Sequence, residues 1–179
     1  TAGGTAWPDP QLAAYLEIGA DGRVLITDPE LEVGQGVHSS LPLILADELG
    51  ADWEQVEVRQ SWADERFINP MKGIQATGRS MSVRGHYQQL RQLGATARTL
   101  LCQAAATGWG LPLAECTTEN GAVLHRPSGR RQPFAALVAA AARLPVPAEV
   151  VLRPDAELRH LGRDQARKDV PAKVTGSAE

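Results

Sequence analysis

Residues 24–60 read VLITDPELEVGQGVHSSLPLILADELGADWEQVEVRQ, and this stretch decides the fold. Residues 24–27 form a short apolar segment, and residues 55–60 alternate polar side chains with valines, which is typical of a half-buried strand. Between these segments, leucine and isoleucine side chains recur at helical spacing over residues 41–49. The stretch therefore predicts a strand, a helix and a second strand in succession.

Residues that favour helix termini mark both ends of the predicted central helix. Ser39 or Ser40 is expected to be its N-cap, because a serine hydroxyl can accept a hydrogen bond from a free backbone N–H. Pro42 is tolerated in the first turn, where its missing N–H costs no intrahelical bond. Gly50 is expected to end the helix.

The amino-terminal part of the chain predicts a lead-in and a hairpin. Residues 1–14 show little periodicity and are predicted to be an extended lead-in. Residues 15–18 and 24–27 are apolar segments on either side of Asp21 and Gly22. This dipeptide favours the positive φ angles of a type I′ turn, so the two segments are predicted to pair as a hairpin.

A loop and the longest helix follow the central unit. Residues 61–80 have no hydrophobic period, and structureless loops of this length in compact domains are usually functional or disordered. From Met81 to about Gly108, apolar side chains share one helical face. Gly94 and Ala97 on this helix are small enough for another element to approach it closely.

A second hairpin and a short helix are predicted further along the chain. The dipeptide Asn120-Gly121 signals a turn between residues 116–118 and 122–125. Pro133 is expected to open a short helix at its first helical position, and this helix stops before Pro145.

The end of the chain has a different composition from the rest. Residues 150–152 are a candidate last strand, whereas residues 153–179 are polar and charged and are predicted to form an extended tail that needs a partner surface. We expect an α+β domain over residues 15–152, with two or three helices packed on one side of a small mixed β-sheet. The tail then serves as a linker to a following domain.

Composition excludes several classes of protein. Of the 179 residues, 43% are apolar and 22% are charged, with a net charge of −3, which is typical of a globular domain. No apolar run approaches the roughly 18 to 20 residues of a transmembrane helix, and the acidic balance argues against nucleic acid as the main partner. Cys102 and Cys116 lack the ligand spacing of a zinc or iron-sulfur site and are expected to be buried spectators.

Two glycine-containing loops directly precede predicted helix starts, at residues 34–40 and 77–82. Free backbone N–H groups and the positive end of the helix dipole make each loop a candidate anion site, suited to a phosphate or a polar heterocycle. The alternative for each loop is plain turn chemistry. Neither loop matches a Walker motif or the dinucleotide-binding fingerprint.

Individual side chains near these loops have two interpretations each. The Gln35 amide suits recognition of a pterin or an oxo group, or it is a solvent-facing loop amide. Glu32 is a general base or a helix cap, and Arg79 clamps a phosphate or is an exposed loop charge. Surface positions are expected for the four histidines and for an arginine pair at a predicted turn: His38, His86, His125, His160, Arg130 and Arg131. Of these residues, only His38 adjoins a candidate site.

Several motifs taken together resemble a known family. They include Glu32-Val33-Gly34-Gln35-Gly36, Leu41-Pro42-Leu43, Ala46-Asp47-Glu48-Leu49, Gln75-Ala76-Thr77-Gly78-Arg79-Ser80-Met81-Ser82-Val83-Arg84, Asn120-Gly121 and Asp169-Val170-Pro171-Ala172. They keep their order and spacing over nearly the whole chain. They resemble the start of the molybdopterin-binding large subunit of isoquinoline 1-oxidoreductase-type enzymes, in the xanthine dehydrogenase and aldehyde oxidase superfamily.

The resemblance implies a cofactor and the residues that bind it. Enzymes of this family carry molybdenum on the dithiolene of molybdopterin cytosine dinucleotide and hydroxylate aldehydes or N-heterocycles with oxygen from water. Arg79 stands where the family prefers a small residue, so its bulk either clamps a phosphate or crowds the cofactor. By resemblance, the pterin and dithiolene end contacts Gly34, Gln35 and Gly36, and the pterin or phosphates are held by Thr77, Gly78, Arg79, Ser80 and Ser82.

The resemblance also implies what this chain lacks. The family's catalytic glutamate lies near the far end of a much longer chain, so this chain is expected to be an N-terminal piece without catalytic or metal-ligating residues. Its expected partners are the remainder of the large subunit and a small subunit with 2Fe-2S clusters for electron exit. A periplasmic location is expected, because large subunits of this branch usually carry a twin-arginine export signal. The alternative is an assembly module of such a complex that binds no cofactor.

Overall fold

The computed structural model describes residues 7–178, which contain both helices and strands. In chain order they are α1 (Pro10–Tyr15), β1 (Leu16–Ile18), β2 (Val24–Asp28), α2 (Val37–Leu49), β3 (Val56–Gln60), α3 (Ser82–Trp109), β4 (Cys116–Glu119), β5 (Ala122–His125), β6 (Arg130–Pro133), α4 (Phe134–Ala141) and α5 (Val170–Thr175). Helices and strands together make an α+β fold, as the sequence predicts.

The strand, helix and strand predicted over residues 24–60 are confirmed. β2 and β3 pair in parallel, with Val24 opposite Val56 and Asp28 opposite Gln60. β1 joins β2 in antiparallel orientation through the predicted hairpin, which makes a mixed three-stranded sheet. Its turn is not the predicted type I′, because Gly22 has a positive φ but Asp21 does not. Because α2 follows the carboxyl end of β2, the first glycine loop lies at this edge of the sheet.

The start of α2 differs from the prediction. The helix begins at Val37, and its N-cap is Gly36 with a φ of 88°, so Ser39 and Ser40 lie inside the helix. Pro42 also lies inside the helix rather than in its first turn. The prediction of a serine cap was wrong, because a carboxylate from the preceding loop takes that role, as described below. The end of the helix at Gly50 is confirmed.

The core lies around α2, which packs against the first sheet and against α3. The two helices approach closely at Gly94, where an added Cβ would lie 2.7 Å from the Leu45 carbonyl oxygen. This contact confirms that small residues on the longest helix allow a close approach. Within residues 7–178, no helix is both long and apolar enough to cross a membrane.

A second, antiparallel sheet accompanies the mixed one. The predicted hairpin at residues 120–121 joins β4 to β5, and β6 pairs with the other side of β5. β6 was not predicted: Arg130 and Arg131 lie on this strand rather than in a turn, although both are exposed as expected. Pro133 ends β6 and is the N-cap of α4, so the helix begins at Phe134, one residue later than predicted.

The amino-terminal segment is partly helical rather than extended. Residues 10–14 belong to α1, which starts there because Asp9 accepts hydrogen bonds from the amides of Gln11 and Leu12, and because Pro10 occupies a first-turn position. Trp7 is buried and donates from its indole N–H to the Leu16 carbonyl oxygen at 2.9 Å. Residues 1–6 of the predicted lead-in lie outside the described residues.

The carboxyl-terminal tail runs along this same domain. Residues 150–152 form no strand, and the tail is extended except for a 3₁₀ turn at Asp155–Glu157 and the short helix α5. It contacts α2 through Asp47, whose carboxylate accepts from the amides of Arg159, His160 and Leu161 at 2.9–3.1 Å. The role of the tail as a linker to a following domain stays a prediction.

Candidate functional site

The two glycine loops meet at Glu30, a buried residue that follows β2. The Glu30 carboxylate accepts from the Thr77 hydroxyl at 2.8 Å and from the Asn69 side-chain amide at 2.9 Å. The same Thr77 hydroxyl accepts from the Leu31 amide at 2.7 Å. Thr77 therefore ties the second loop to the start of the first, and both predicted loops lie in one region of the molecule.

Glu32 occupies the amino terminus of α2. Its carboxylate accepts from the amides of Gly34 at 2.7 Å, Gly36 at 3.0 Å and His38 at 3.0 Å. Burial alone would raise the pKa of Glu32, but these three amides outweigh it and lower the pKa. Of the two interpretations of Glu32, the structure supports the helix cap. Three of the amides that the sequence offered to an external anion, those of Gly34, Gly36 and His38, are thus already bonded.

The side chain of Gln35 forms hydrogen bonds with the backbone of its own loop. Its side-chain oxygen accepts from the Val33 amide at 2.6 Å, and its side-chain nitrogen donates to the Leu31 carbonyl at 2.9 Å. Gln35 is exposed between Gly34 and Gly36. Its contact with a cofactor stays a prediction.

The amino terminus of α3 is open, in contrast to that of α2. Its N-cap is Met81, whose side chain makes no cap hydrogen bond. The preceding Gly78 has a φ of 148°, which only glycine adopts freely. Arg79 and Ser80 have φ values of 58° and 51°. Such left-handed conformations cost non-glycine residues about 1–3 kcal/mol each and cluster at ligand clamps and active sites.

A cleft of about 370 Å³ lies beside this loop. Arg79 and Ser80 are exposed at its edge, and Ser82 lies in the first turn of α3. Within residues 7–178, Arg79 forms no ion pair, so its guanidinium is available to a ligand. The cleft is lined by Met71, Lys72, Ile74, Ala76, Thr77, Gly78, Arg79 and Met81.

Acidic and imidazole side chains are buried beneath the two loops. Asp28 and His86 are both 0% exposed; His86 Nε2 lies 3.5 Å from Glu30, and His38 Nδ1 lies 3.5 Å from Asp28. Burial raises the pKa of Asp28 and lowers that of His86. For Glu30, burial raises the pKa, but hydrogen bonds from Asn69, Thr77 and Lys72 outweigh it and lower the pKa.

The prediction of surface positions was wrong for two histidines. His86 is buried beneath the loops. The sequence could have predicted this, because His86 is four residues from Leu90 and therefore lies on the apolar face of α3. His125 is 3% exposed and lies 2.7 Å from both Glu115 and Ser128.

The two cysteines lie away from the glycine loops. Cys102 is buried as expected, and burial raises its pKa to about 12, whereas Cys116 is half-buried. Within residues 7–178, no group of three or more histidine, cysteine or acidic side chains is arranged to hold a metal ion.

Comparisons with known proteins cover nearly the whole chain. Residues 1–175 match the family described as molybdopterin cofactor-binding domain. The chain is 35% identical over 217 aligned positions to the beta subunit of isoquinoline 1-oxidoreductase from Brevundimonas diminuta, which covers 99% of this chain and 28% of that protein. It is 30% identical to a subunit of nicotinate dehydrogenase from Pseudomonas putida, over 93% of this chain and 14% of that protein.

A further relative and a solved structure also match the chain. The chain is 30% identical to the membrane-bound aldehyde dehydrogenase (pyrroloquinoline-quinone) of Gluconacetobacter polyoxogenes, over 92% of this chain and 21% of that protein. The crystal structure of quinoline 2-oxidoreductase from Pseudomonas putida 86 shares the fold, with a TM-score of 0.52 and 20% identity over 76% of this chain and 19% of that one. The chain thus spans less than a third of the curated relatives that it matches.

Proposed function

The chain belongs to the molybdopterin cofactor-binding domain family, and from this premise we propose that it forms part of the cofactor site of a molybdenum hydroxylase. The complete enzyme oxidises an aldehyde or an N-heterocycle with oxygen from water. The names of the relatives support this substrate class, since they include an aldehyde dehydrogenase, an isoquinoline oxidoreductase and a nicotinate dehydrogenase.

The open amino terminus of α3 carries the proposal. Its first turn lacks a side-chain cap, and the exposed Arg79 lies beside it at the edge of the cleft. A helix amino terminus and a guanidinium both favour a phosphate, and together they suit the anionic part of a molybdopterin dinucleotide. At α2, by contrast, Glu32 already bonds the His38 amide in the first turn and the amides of Gly34 and Gly36 before it, so an anion is less suited to that loop.

We assign roles to the two loops on this basis. Thr77, Gly78, Arg79, Ser80 and Ser82 hold the pterin or the phosphates of molybdopterin cytosine dinucleotide. Gly34, Gln35 and Gly36 line the pterin and dithiolene end, where the polar amide of Gln35 is exposed. When bound, the cofactor supplies the molybdenum centre at which substrate is oxidised. The residues of this chain bind and orient the cofactor.

The partners in this proposal are the remainder of the large subunit and a small subunit with 2Fe-2S clusters. Two of the relatives are named as single subunits of their enzymes, which supports a complex of several chains. Exposed apolar side chains surround both loops, and such patches mark surfaces that another part of a protein covers. They are Leu31, Val33, Met71 and Ile74. We propose a periplasmic location for the complex, which only the expected export signal of this branch supports.

An assembly module without a cofactor is the second candidate. It would keep the core but would have no need for the backbone conformations of Gly34 and Gly78, which have φ values of 104° and 148°. Both glycines are present, and Gln35 lies between Gly34 and Gly36. These residues favour the cofactor-binding part of an enzyme.

Metal analysis of the complete protein, purified natively with its partners, tests the proposal. We expect molybdenum and iron in the wild type, and at least a severalfold loss of molybdenum in Gly78→Val, because a β-branched residue is strained at this φ angle. Gly108→Ala is the matched control, since it lies on α3 with no atom within 4 Å of its added Cβ. Wild-type protein that lacks molybdenum, or that holds a quinone instead, would contradict the proposal.

A further inference from the structure

An arginine from the tail reaches the first glycine loop across the surface of α2. Arg167 donates to the Gly34 carbonyl oxygen at 3.2 Å, and its second terminal nitrogen lies 3.2 Å from the Glu32 carboxylate. Arg167 and Gly34 are separated by 133 positions in the sequence. The side chain of Arg167 therefore contacts both the cap of α2 and the backbone of the loop that the cap shapes.

We propose that Arg167 is a positioning residue for this loop, so that the tail holds Gly34 and Gln35 in the conformation in which they line the cofactor. The inference rests on the proposed function of the loop. Arg167 acts through Glu32 and Gly34 and makes no contact with the cofactor in this proposal.

The first argument concerns charge. Glu32 accepts three backbone amides and is mostly buried, with 11% of its side chain exposed. Within residues 7–178, Arg167 is the one cation paired with this carboxylate. Loss of the guanidinium leaves a largely buried charge with neutral donors alone, which weakens the cap. The loop would then open more often, because the cap fixes the amides of Gly34 and Gly36.

The second argument concerns how firmly Arg167 is held. Asp169 binds its guanidinium with two hydrogen bonds, at 3.0 and 2.6 Å. The neighbouring Lys168 donates from its backbone amide to the Ser39 hydroxyl at 2.9 Å, and its ammonium group lies 4.6 Å from the centre of the Trp53 ring. The segment is therefore anchored to α2 independently of Glu32, and the guanidinium is pre-oriented toward the loop.

The third argument separates positioning from an ordinary surface ion pair. An exposed ion pair contributes little to stability and constrains the backbone little. Arg167 instead divides its donors among the Glu32 carboxylate, the Gly34 carbonyl and Asp169. A lysine at this position carries its three donors on a single nitrogen, so it cannot reproduce the planar fork with which the guanidinium spans these three acceptors.

The experiment compares Arg167→Ala and Arg167→Lys in the complete protein, with Arg163→Ala as the control in the same tail. Arg163 is exposed and makes no ion pair within the described part of the chain. Hydrogen exchange at the amides of Gly34 and Gly36 reports on the loop, and the rate of molybdenum loss reports on the cofactor. We expect about tenfold faster exchange and faster molybdenum loss in Arg167→Ala.

The two readouts distinguish this inference from the proposed function. Partial rescue of both rates by Arg167→Lys, with wild-type rates in Arg163→Ala, supports positioning through the forked contact. A molybdenum-loaded wild type whose Arg167→Ala variant exchanges and retains metal at the wild-type rates overturns the role of Arg167. A wild type without molybdenum overturns the proposed function instead.

Discussion

Gln35 and Glu32 show how single side chains shape the first glycine loop. Glu32 bonds three amides at the start of α2, and Gln35 bonds both the Val33 amide and the Leu31 carbonyl. The first contact fixes the entry into the helix, and the second closes the exposed turn before it. The two residues therefore differ in what their removal should do to the molecule.

Substitution of Gln35→Ala should change cofactor retention more than stability. The side chain is exposed, so its loss should cost within about 1 kcal/mol of unfolding free energy. If the amide lines a desolvated cofactor site, molybdenum content or turnover of the complete enzyme should fall roughly five- to 150-fold. Gln88→Ala, an exposed glutamine on α3, is the control. Full activity and metal content in Gln35→Ala would assign Gln35 to the loop alone.

His86 should make stability depend on pH in the weakly acidic range. Burial lowers its pKa below the ordinary value of 6.5, so the unfolded chain takes up a proton before the folded chain does. Stability is therefore fully present above pH 6.5 and falls as the pH decreases, by at most about 1.4 kcal/mol per pH unit. The lowered pKa of Glu30 also reduces stability as the pH decreases, but only below the ordinary glutamate pKa of 4.5. The raised pKa of Asp28 has the opposite effect, because the folded chain takes up that proton first.

Denaturant unfolding of the 179-residue chain between pH 8 and pH 5 measures this effect. His86→Gln keeps a polar side chain beside Gln89 and Glu30 but cannot be protonated in this range. We expect a smaller loss of unfolding free energy in the variant than in the wild type. An unchanged pH slope in His86→Gln would show that another group carries the dependence.

At the scale of elements, the contact between α2 and α3 determines where both loops lie. α2 follows the first glycine loop, and α3 follows the second, so the crossing of the two helices places their amino termini relative to one another. The closest approach is at Gly94, which packs on the Leu45 carbonyl and the Glu48 side chain. A glycine that is unfavourable for a helix is thus favoured here by packing.

Two glycine-to-alanine substitutions on α3 should change the stability of the protein in opposite directions. Gly94→Ala puts a Cβ 2.7 Å from the Leu45 oxygen and 2.8 Å from the Glu48 Cβ, so we expect it to cost about 1–3 kcal/mol of stability. Gly108→Ala meets no atom within 4 Å and should stabilise by about 0.5–1 kcal/mol through helix propensity. Thermal or denaturant unfolding measures both. Equal changes in unfolding free energy for the two variants would show that α2 and α3 can move apart without loss of stability.

At the scale of the whole molecule, the tail is tied to the domain at successive points along α2. The buried Glu48 carboxylate accepts from Arg91 at 2.8 Å, from Arg98 at 2.8 Å and from the Arg153 amide at 2.8 Å, where the tail begins. Asp47 then holds the amides of residues 159–161, and Arg167 reaches the first glycine loop. The tail therefore connects the end of the chain to the candidate site.

Removal of the Asp47 carboxylate should release the middle of the tail. In Asp47→Ala, the amides of Arg159, His160 and Leu161 lose their acceptor, so their hydrogen exchange should accelerate at least about tenfold. Asp21→Ala, which changes only the exposed turn between β1 and β2, is the control. Exchange in residues 159–161 that equals the wild-type rate would mean that other contacts hold the tail in place.

The sequence by itself determined the local elements and the two loops. The alternation in β3, the helical period of α2 and α3, and the Asp-Gly and Asn-Gly turns are short-range signals, and the structure confirms the elements that they predict. The two glycine loops were also found from sequence, because a glycine-rich segment before a helix is itself a local pattern. β6, α1 and α5 were missed, since all three are short and have weak periods.

Only the tertiary structure decided which partners these local elements use. It joined the loops through Glu30 and Thr77 and brought Arg167 to Gly34. It also buried His86 beneath the loops. The physical reason is that these hydrogen bonds depend on the crossing of α2 and α3 and on the path of the tail. No short-range period encodes either of them.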